Sequence, residues 1–362
     1  MNPIIYNDCQ KLYYDKFVNW ELLKCTTVLV TGAYGMLPSY MIWMLIYLNE
    51  YQQNYNITIV ALCRNKEKAK KKFGHYCNKE YFILCLQDIT EEIQIDIPID
   101  LIIHGASPAS AQYYNTNPVG VIIPNSIGTY YTLELARKNS TKGYLYFSSG
   151  EVYGAINKEE VFEDDYGYVD PLDTRSCYCE SKRLGESLCK AYAHQYGLHT
   201  SIVRPSHTYG PTLDLENDHR VFAEFVFNIV RNEDICVKSD GLAVRNFCYI
   251  GDAISAYFKI LLEGQSGEAY NVANRNAQVS IRELADILIS IFPQLNLKVS
   301  FGKEPISYLE DKHKKHSVLS TKKLETLGWK PQYSIKEGFK RTIISFREDL
   351  NEKENQHCNS YI

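Results

Sequence analysis

Hydrophobic residues occur along the chain in short runs that alternate with segments of helical spacing. "TTVLVTGAYGMLPSYMIWMLIYLNE", which starts at Thr26, combines a buried strand, a turn that contains glycine and a largely apolar helix. Further strand-like runs are "ITIVALCRN", "DLIIHGAS", "GYLYFSSGEVYG" and "TSIVRPSHTYGP". Strands that alternate with helices predict βαβ units and a parallel sheet with helices on both faces.

The regular alternation ends near residue 205, where loops, mixed helices and short strands follow. We therefore predict a doubly wound α/β sheet with a smaller C-terminal α/β domain. Two later segments, "VRNFCYIGDA" and "GEAYNVAN", are candidates for strands that return to the sheet. The predicted organisation is an N-terminal extension at 1–24, a dinucleotide-binding domain at 25–204 with 245–275 returning to it, a substrate domain at 205–244 and 276–350, and a flexible tail at 351–362.

Composition and charge limit the class of partner. The chain has 362 residues, of which 45% are hydrophobic, and a formal net charge of −4. Because the chain carries no overall positive charge, neither nucleic acid nor an anionic membrane surface is predicted as a partner. The most apolar segment, "MIWMLIYL" at 41–48, is much shorter than the run of about 20 residues that spans a bilayer.

Eleven cysteines are scattered along the chain without a C-x-x-C pair. This spacing predicts neither a disulfide framework nor a metal site. The first twenty residues contain charges and lack the continuous apolar run of a secretory leader. We therefore expect reduced thiols and a cytoplasmic location.

Gly32 and Gly35 lie between the first predicted strand and its helix. Glycine at such a turn lets the backbone approach a pyrophosphate, and the helix N-terminus supplies N–H donors and partial positive charge. Ordinary turns also use glycine, but here strand, turn and helix stand in the order that a dinucleotide site requires. Pro38 replaces the usual third glycine, and a first helical turn tolerates proline.

The second strand ends in "CRN" instead of an acidic residue that would hold the ribose 2′-hydroxyl of NAD. Arg64 has two interpretations: it faces the 2′-phosphate of NADP, or it is a solvated arginine before the charged helix "KEKAKKK". Asp88, after the third strand-like run, either accepts a hydrogen bond from the adenine amino group or caps its loop.

Tyr178 and Lys182 are four residues apart, so both lie on one face of a helix. A lysine ammonium favours the ionised phenolate, and a positively charged nicotinamide ring would add to the effect, so the tyrosine can act as a base near neutral pH. Y-x-x-x-K also arises by chance in a chain with 29 tyrosines. Its position downstream of the glycine turn and of "FSSGEVYG" favours hydride chemistry, in which Ser149 binds the reacting hydroxyl and Tyr178 takes its proton.

With "TGAYGMLP", "SSGEVYG", "YCESK", "HGASPAS", "RPSHTYGP", "RNFCYIGDA" and "YNVAN", the chain resembles extended short-chain dehydrogenases/reductases of the nucleotide-sugar epimerase/dehydratase family. The pattern is most similar to UDP-glucuronate decarboxylases of the UDP-xylose synthase type. The resemblance implies a Rossmann-like fold and a bound NAD that is reduced and reoxidised within one catalytic cycle. It also implies oxidation of the sugar at C4.

The resemblance assigns site residues by their matching positions. The implied catalytic residues are Tyr178, Lys182, Ser149 and Glu151. The implied cofactor contacts are Gly32, Tyr34, Gly35, Met36, Leu37, Arg64, Asp88, Ile89, Ala106, Tyr178 and Lys182. The implied contacts to a nucleotide-sugar substrate are Ser107, His207, Arg220 and Arg245.

The fate of the 4-keto sugar depends on its C6 substituent. A 4-keto uronic acid can lose CO2, and a 4-keto hexose can lose water. A 4-keto sugar that rotates within the site can be reduced on its other face. Glu151 matches a glutamate that decarboxylases and dehydratases share, which argues against a simple C4 epimerase. The alternative role of Glu151 is to cap the following loop.

Three positions depart from the family pattern. Gly150 replaces the serine of decarboxylases or the aspartate of dehydratases, so no side chain is provided to protonate a leaving hydroxyl. His207 replaces an asparagine, and Thr212 replaces an arginine of the decarboxylases. These changes predict an altered sugar pocket, and they disfavour the 4,6-dehydratase more than the decarboxylase.

Other functions stay open beside the decarboxylase. They are a 4,6-dehydratase, a C4 epimerase, a reductase that releases NADP, and a dinucleotide-binding sensor without turnover. The sensor is disfavoured because the four catalytic positions are intact. The family also implies a homodimer, formed by "NSIGTYYTLELARK" and the helix after Tyr178. Cys177 and Cys179 flank Tyr178 but face other directions on a helix, so we interpret them as packing residues.

Overall fold

The computed structural model describes residues 1–304 and 318–359. Its helices are α1 (Pro3–Tyr14), α2 (Met36–Tyr51), α3 (Lys66–Phe73), α4 (Ala111–Thr116), α5 (Pro118–Ile123), α6 (Thr129–Asn139), α7 (Ser176–Tyr196), α8 (Val221–Val230), α9 (Ile250–Glu263), α10 (Ile281–Ile291), α11 (Lys322–Glu325) and α12 (Ile335–Asn359). A π-helical turn, Pro124–Gly128, joins α5 to α6. None of the described helices is long and apolar enough to cross a membrane.

The strands are β1 (Thr27–Thr31), β2 (Thr58–Cys63), β3 (Phe82–Leu86), β4 (Leu101–His104), β5 (Gly143–Phe147), β6 (Glu160–Val161), β7 (Thr200–Pro205), β8 (His207–Tyr209), β9 (Ile235–Ser239), β10 (Val244–Tyr249), β11 (Glu268–Val272), β12 (Gln278–Ser280), β13 (Val299–Glu304) and β14 (Val318–Leu319). Seven of them form a parallel sheet in the order β3-β2-β1-β4-β5-β7-β11. The strand order reverses between β1 and β4, and open α/β sheets bind ligands at such a point.

Alternating side chains of the central strands serve two cores. Val28 and Val30 of β1 pack in the core that includes α2 and α9, whereas Leu29 packs in the core that includes α6 and α7. This alternation follows from the two-residue period of a strand. Both faces of the sheet are therefore covered, as the doubly wound prediction requires.

The two later segments expected to return to the sheet behave differently. "GEAYNVAN" contains β11, which pairs with β7 at the edge of the sheet. "VRNFCYIGDA" contains β10, which pairs with β8 and β12 in a separate three-stranded sheet. Because β7 already has β5 and β11 as neighbours, no edge of that strand is left for β10.

The backbone of 351–359, where the sequence predicts a flexible tail, continues α12 to Asn359. Glutamate, lysine and glutamine in that segment are good helix formers. Residues 360–362 lie outside the described residues. The proposed domain limits are not decided by these element bounds and stay a prediction.

The N-terminal segment is packed into the core through one carboxylate. Asp8 of α1 is fully buried and accepts hydrogen bonds from Tyr40 and Tyr249, each at 2.5 Å, and from Tyr333 at 3.1 Å. Arg341 forms an ion pair with the same carboxylate at 2.5 Å. Burial raises the pKa of Asp8, and Arg341 acts in the opposite direction. Asp8 thus joins α1 to α2, β10 and α12.

Candidate active site

The glycine turn after β1 brings the backbone of two strands close together. Gly32 has φ of +65°, and a Cβ atom there would lie 2.8 Å from Cα of Ala106 and 2.9 Å from the carbonyl oxygen of Gly105. The N–H of Gly35 donates to the carbonyl oxygen of Gly32 at 2.8 Å, and α2 begins at the next residue. Only glycine fits this tight turn, whose backbone suits a pyrophosphate at the N-terminus of α2.

The other cofactor contacts expected at this turn surround it. The N–H of Ala106 donates to Oγ1 of Thr31 at 3.2 Å, which fixes the end of β4 against β1. The ammonium of Lys68 lies 5.9 Å from the ring centroid of Tyr34. Met36 and Leu37 form the half-buried first turn of α2. The carbonyl oxygen of Met36 accepts a hydrogen bond from Thr212 at 2.9 Å, which brings the segment after β8 to the turn.

Arg64 and Asp88 follow β2 and β3 at the same edge of the sheet. Nη1 of Arg64 lies 3.4 Å from Oδ2 of Asp88, although 64% of the arginine side chain is exposed. Oδ1 of Asp88 accepts from the N–H and the hydroxyl of Thr90 at 3.0 and 2.9 Å. Burial would raise the pKa of Asp88, but these hydrogen bonds and Arg64 lower it overall. Asp88 therefore caps its own loop, and Ile89 beside it is buried.

The three residues expected to carry hydride chemistry meet at the carboxyl end of β5. Ser149 caps a short 3-10 helix by accepting the N–H of Glu151 at 3.1 Å, and Ser149 is hydrogen-bonded to Tyr178. Lys182 follows Tyr178 by one turn of α7 and donates from Nζ to the carbonyl oxygen of Phe147 at 2.6 Å. Tyr178 is 7% exposed and Lys182 3%. The ammonium lies 5.8 Å from the centroid of the Tyr178 ring.

Burial controls the charge of both titrating groups. It raises the pKa of Tyr178 to about 12, against the hydrogen bond from Ser149 and the charge of Arg220, while Glu151 adds to the rise. It lowers the pKa of Lys182 to about 7, against the charge of Glu186. The protein's own groups therefore keep Tyr178 as a neutral phenol at pH 7. Further positive charge at the site is needed to ionise it.

The two cysteines beside Tyr178 point to backbone oxygens. Sγ of Cys177 lies 3.8 Å from the carbonyl oxygen of Tyr114, and Sγ of Cys179 lies 3.1 Å from that of Glu151. Both are buried, and burial raises the pKa of the Cys177 thiol. In residues 1–304 and 318–359, no group of three or more His, Cys, Asp or Glu side chains could hold a metal ion.

The position of Gly150 is closed by residues from distant parts of the chain. A Cβ atom there would lie 3.4 Å from Cδ1 of Leu319 and 3.5 Å from the carbonyl oxygen of Pro205. Leu319 belongs to β14, which pairs with β6. Glu151 next to it is exposed, and its charge acts on Tyr178. The position therefore borders an apolar side chain, with a carboxylate one residue further along.

Ser107 and His207 are two of the expected substrate contacts. Ser107 has a buried hydroxyl without a partner in the protein, and His207 lies beside aromatic rings. Oγ of Ser107 is buried and has no hydrogen-bond partner in the protein. Such an unpaired hydroxyl is costly unless a ligand or water meets it. The ring of His207, at the start of β8, lies 5.8 Å from the ring of Phe247 and 6.4 Å from that of Phe222.

The two arginines expected at the substrate have different surroundings. Arg220 is ion-paired with Asp218 at 2.5 Å, and its guanidinium also lies 3.9 Å from Sδ of Met36 in the glycine turn. Its charge lowers the pKa of Tyr178, which places it near the reacting groups. Arg245 of β10 donates to the carbonyl oxygen of its neighbour Val244 at 2.9 Å. The structure therefore brings the charge of Arg220 to the tyrosine.

Sequence reasoning missed two residues beside the catalytic group. Tyr114 of α4 stacks on the ring of Tyr178, and no motif or spacing marks it. Glu186 lies one helical turn after Lys182 and pairs with Arg204 at 2.7 Å. The i, i+4 spacing from Lys182 would have found Glu186, but a glutamate on a helix is usually solvated.

Comparison with known proteins agrees with this arrangement. Residues 28–273 match the model of the NAD dependent epimerase/dehydratase family. Over 324 residues the chain is 32% identical to UDP-glucuronic acid decarboxylase 6 of Arabidopsis thaliana, and the match covers 88% of each chain.

Solved structures with the same architecture include enzymes of two reaction types. The UDP-glucose 4-epimerase of Thermotoga maritima with UDP-glucose superposes with a TM-score of 0.76 at 23% identity, over 90% of this chain and 99% of the epimerase. The dTDP-glucose 4,6-dehydratase of Bacillus anthracis in complex with NAD gives 0.71 at 21% identity, over 91% and 98% of the two chains. At these identities the structures establish the fold.

Proposed function

The chain belongs to the NAD dependent epimerase/dehydratase family, and we propose that it oxidises C4 of a nucleotide-activated uronic acid and releases CO2 from C6, as a UDP-glucuronate decarboxylase does. The family, the fold class and the use of NAD that the motifs predict are confirmed. The identity to decarboxylases over most of the chain supports this choice of reaction within the family.

The meeting of Ser149, Tyr178 and Lys182 at the end of β5 carries the proposal. Ser149 binds the C4 hydroxyl, and the phenolic oxygen of Tyr178 takes its proton. Lys182 supplies positive charge that favours the phenolate. The glycine turn at Gly32 and Gly35 would hold NAD, which would supply a reversible hydride acceptor for C4.

Loss of CO2 follows from the chemistry of the ketone. A 4-keto uronic acid is a β-keto acid, so the electrons of the C5–C6 bond can pass to the C4 carbonyl as CO2 leaves. Glu151 would act near C5 and C6, where the resulting enolate must be protonated. A departing hydroxyl would need an acid at Gly150, where the neighbouring side chain is Leu319. This apolar neighbour favours decarboxylation over dehydration.

The sugar nucleotide is assigned to the segment after β7. We propose that 25–204 binds the cofactor and that 205–244 with 276–350 binds the nucleotide sugar. Arg220 and Arg245 suit a diphosphate or a carboxylate, because a guanidinium binds two oxygens of either group. Ser107 and His207 would contact the sugar, and the unpaired hydroxyl of Ser107 supports a polar ligand there.

We also propose that two chains pair through α5, α6 and α7. Several large apolar side chains on these helices and the π-helical turn are exposed: Val119, Ile122, Ile127, Tyr130, Leu184 and Tyr196. Light scattering should give twice the mass of the chain, and Leu184→Glu should lower it. A wild type with the mass of a single chain would contradict the pairing. A cytoplasmic location stays a prediction from the cysteine content.

Mass spectrometry after incubation with UDP-, dTDP-, GDP- and CDP-sugars tests the reaction. We expect purified protein, with no added cofactor, to convert UDP-glucuronate with loss of CO2. Loss of water from a hexose, or an isomer of unchanged mass, would instead identify a dehydratase or an epimerase. A need for stoichiometric NADPH would contradict the internal redox cycle. Tyr178→Phe should abolish turnover, and unchanged turnover would refute the assigned base.

A further inference from the structure

Glu186 of α7 binds groups from two neighbouring strands with one carboxylate. Nε and Nη2 of Arg204 in β7 donate to its two oxygens at 2.8 and 2.7 Å. Oγ of Ser148, which follows β5, donates to the same carboxylate at 2.5 Å. The side chains of Arg204 and Glu186 are only 6% and 13% exposed. A bidentate pair of this kind is geometrically well defined and weakly screened by solvent.

Lys182 lies one turn before Glu186, between the helix and the sheet. Its Nζ is 5.0 Å from the ring centroid of Tyr146 in β5. The close approach of α7 to β5 depends on Gly185, where a Cβ atom would lie 2.1 Å from the hydroxyl oxygen of Tyr146. The lysine ammonium is therefore held away from water, in surroundings that favour its neutral form.

The groups that face Lys182 differ in charge. On α7 they are Glu186 and Cys189, on β5 Tyr146, and on β4 His104. Burial raises the pKa of Cys189 well above its usual range and lowers that of His104 to about 3, so both are neutral at pH 7. Among these described neighbours, Glu186 alone carries negative charge. Its charge opposes the loss of the lysine proton.

The carboxylate of Glu186 cannot turn away easily, because its partner Arg204 is itself fixed. Nη1 of Arg204 donates to the hydroxyl of Tyr153 at 2.9 Å and to the carbonyl oxygen of Glu163 at 2.8 Å. Tyr153 in turn donates to Asn271 of β11 at 2.6 Å. These bonds join α7 to β7, to β11, to the segment after β6 that contains Glu163, and to the 3-10 helix that carries Glu151.

We propose that Glu186 is a positioning residue that keeps Lys182 in its ammonium form and thereby lets Tyr178 ionise. This inference rests on the proposed function, in which Tyr178 acts as the base. Ser148, bound to the same carboxylate, links Glu186 to the backbone that carries Ser149. Glu186 thus acts on the reaction through Lys182 and need not touch the sugar.

A titration of the Tyr178 phenolate, followed by ultraviolet absorbance, tests the inference without a sugar substrate. The protein is loaded with NAD, and the signal of Tyr178→Phe is subtracted to isolate Tyr178. We expect Glu186→Gln to move the midpoint upward by about one pH unit, because loss of the anion favours neutral Lys182. Glu186→Asp, which keeps the charge, should restore most of the shift.

Glu268→Gln is the matched control. Glu268 of β11 also pairs with two cations, Lys190 at 3.0 Å and Lys323 at 2.8 Å, but it does not face Lys182. The midpoint of this variant should equal that of the wild type. If Glu186→Gln does not fold because Arg204 loses its counter-charge, the double variant E186Q/R204M removes both charges. Its midpoint should still rise, but by less than in Glu186→Gln, because the cation of Arg204 is removed with the anion.

Two results would overturn the inference: an unmoved midpoint in Glu186→Gln or in the double variant, and a wild type without a Tyr178-dependent phase. Reduction of bound NAD by UDP-glucuronate is measured in parallel. If the wild type does not react but the midpoint moves, the proposed substrate is wrong and the role of Glu186 stands. If the wild type reacts and the midpoint does not move, the proposed function stands and the role of Glu186 is wrong.

Discussion

The rings of Tyr114 and Tyr178 stack face to face, with centroids 4.8 Å apart and planes inclined by 14°. Tyr114 comes from α4, a helix of six residues, whereas Tyr178 comes from the first turn of α7. The stack fixes the plane of the Tyr178 ring and covers one of its faces. A base must hold its oxygen within hydrogen-bond reach of the proton that it removes, so the orientation of this ring matters for the reaction.

We expect Tyr114→Ala to slow hydride transfer from C4 about tenfold, since an aromatic pair contributes about 0.5–1.5 kcal/mol beyond burial of its surface. Tyr114→Phe keeps the stacked ring and should retain most of the rate. Stopped-flow absorbance of the reduced cofactor measures both variants. Equal rates in Tyr114→Ala and the wild type would show that the stack does not position Tyr178.

Gly32→Ala should abolish NAD binding, whereas Gly74→Ala should leave it unchanged. Both glycines have positive φ, +65° and +56°, so alanine adds backbone strain of roughly 1–3 kcal/mol at each. A Cβ at Gly32 would collide with the backbone of Ala106, while at Gly74 nothing lies within 4 Å. Calorimetric titration with NAD compares the two. Retained binding in Gly32→Ala would remove the glycine turn from the cofactor site.

Gly150→Ser should fold and should raise the rate of CO2 release. Its Cβ would make ordinary contacts with Leu319 and with the carbonyl oxygen of Pro205, at 3.4 and 3.5 Å. We expect the free energy of unfolding to change by less than about 1 kcal/mol. Thermal unfolding and product analysis check the two parts. If the free energy of unfolding falls by several kcal/mol, the site cannot hold a side chain. If the rate of CO2 release is unchanged, Gly150 does not alter the sugar pocket.

Lys182→Met should gain stability relative to the wild type at low pH and lose that gain as pH rises. The pKa of Lys182 is about 7 in the folded protein and 10.5 by its ordinary value. Between these values the unfolded chain binds more protons, so the wild type becomes more stable with rising pH. The cost of burying the ammonium is complete below pH 7, on the order of 5 kcal/mol, and vanishes above pH 10.5. Urea unfolding at pH 6 and pH 9 measures the difference, and an equal difference at both would contradict the lowered pKa.

Arg64→Ala should weaken binding of NADP about tenfold and change binding of NAD little. The arginine is 64% exposed and its ion pair with Asp88, at 3.4 Å, is cheap to break, so its guanidinium is free to meet a 2′-phosphate. Lys68→Ala is the control. It removes another cation near the turn and so measures the effect of lost positive charge alone. If the ratio of NADP affinity to NAD affinity is the same in Arg64→Ala as in the wild type, Arg64 is a solvated arginine that does not bind the 2′-phosphate.

Local spacing explains what the sequence could predict. Gly32 and Gly35 follow a strand and precede a helix, and four residues separate Tyr178 from Lys182, so each pair is brought together by one element or one turn. The doubly wound sheet follows from the same alternation of strands and helices. These features need no knowledge of which distant segments meet.

Contacts between distant segments could not be predicted in this way. Leu319 reaches Gly150 because β14 pairs with β6, and the ring of Tyr114 meets that of Tyr178 because two helices pack. The same is true of β10, whose apolar run suits a strand in either sheet. The raised pKa that Tyr178 has without cofactor could not be predicted for a related reason, since a residue pattern does not report how deeply a phenol is buried.

The carboxylate of Asp8 has a consequence for synthesis of the protein on the ribosome. Its partners Tyr333 and Arg341 are translated long after α1, and Tyr40 alone among its four partners is close to it in sequence. Until those later residues emerge, α1 carries an acidic group whose burial has no counter-charge. α1 can therefore reach its final packing only after Arg341 has been translated.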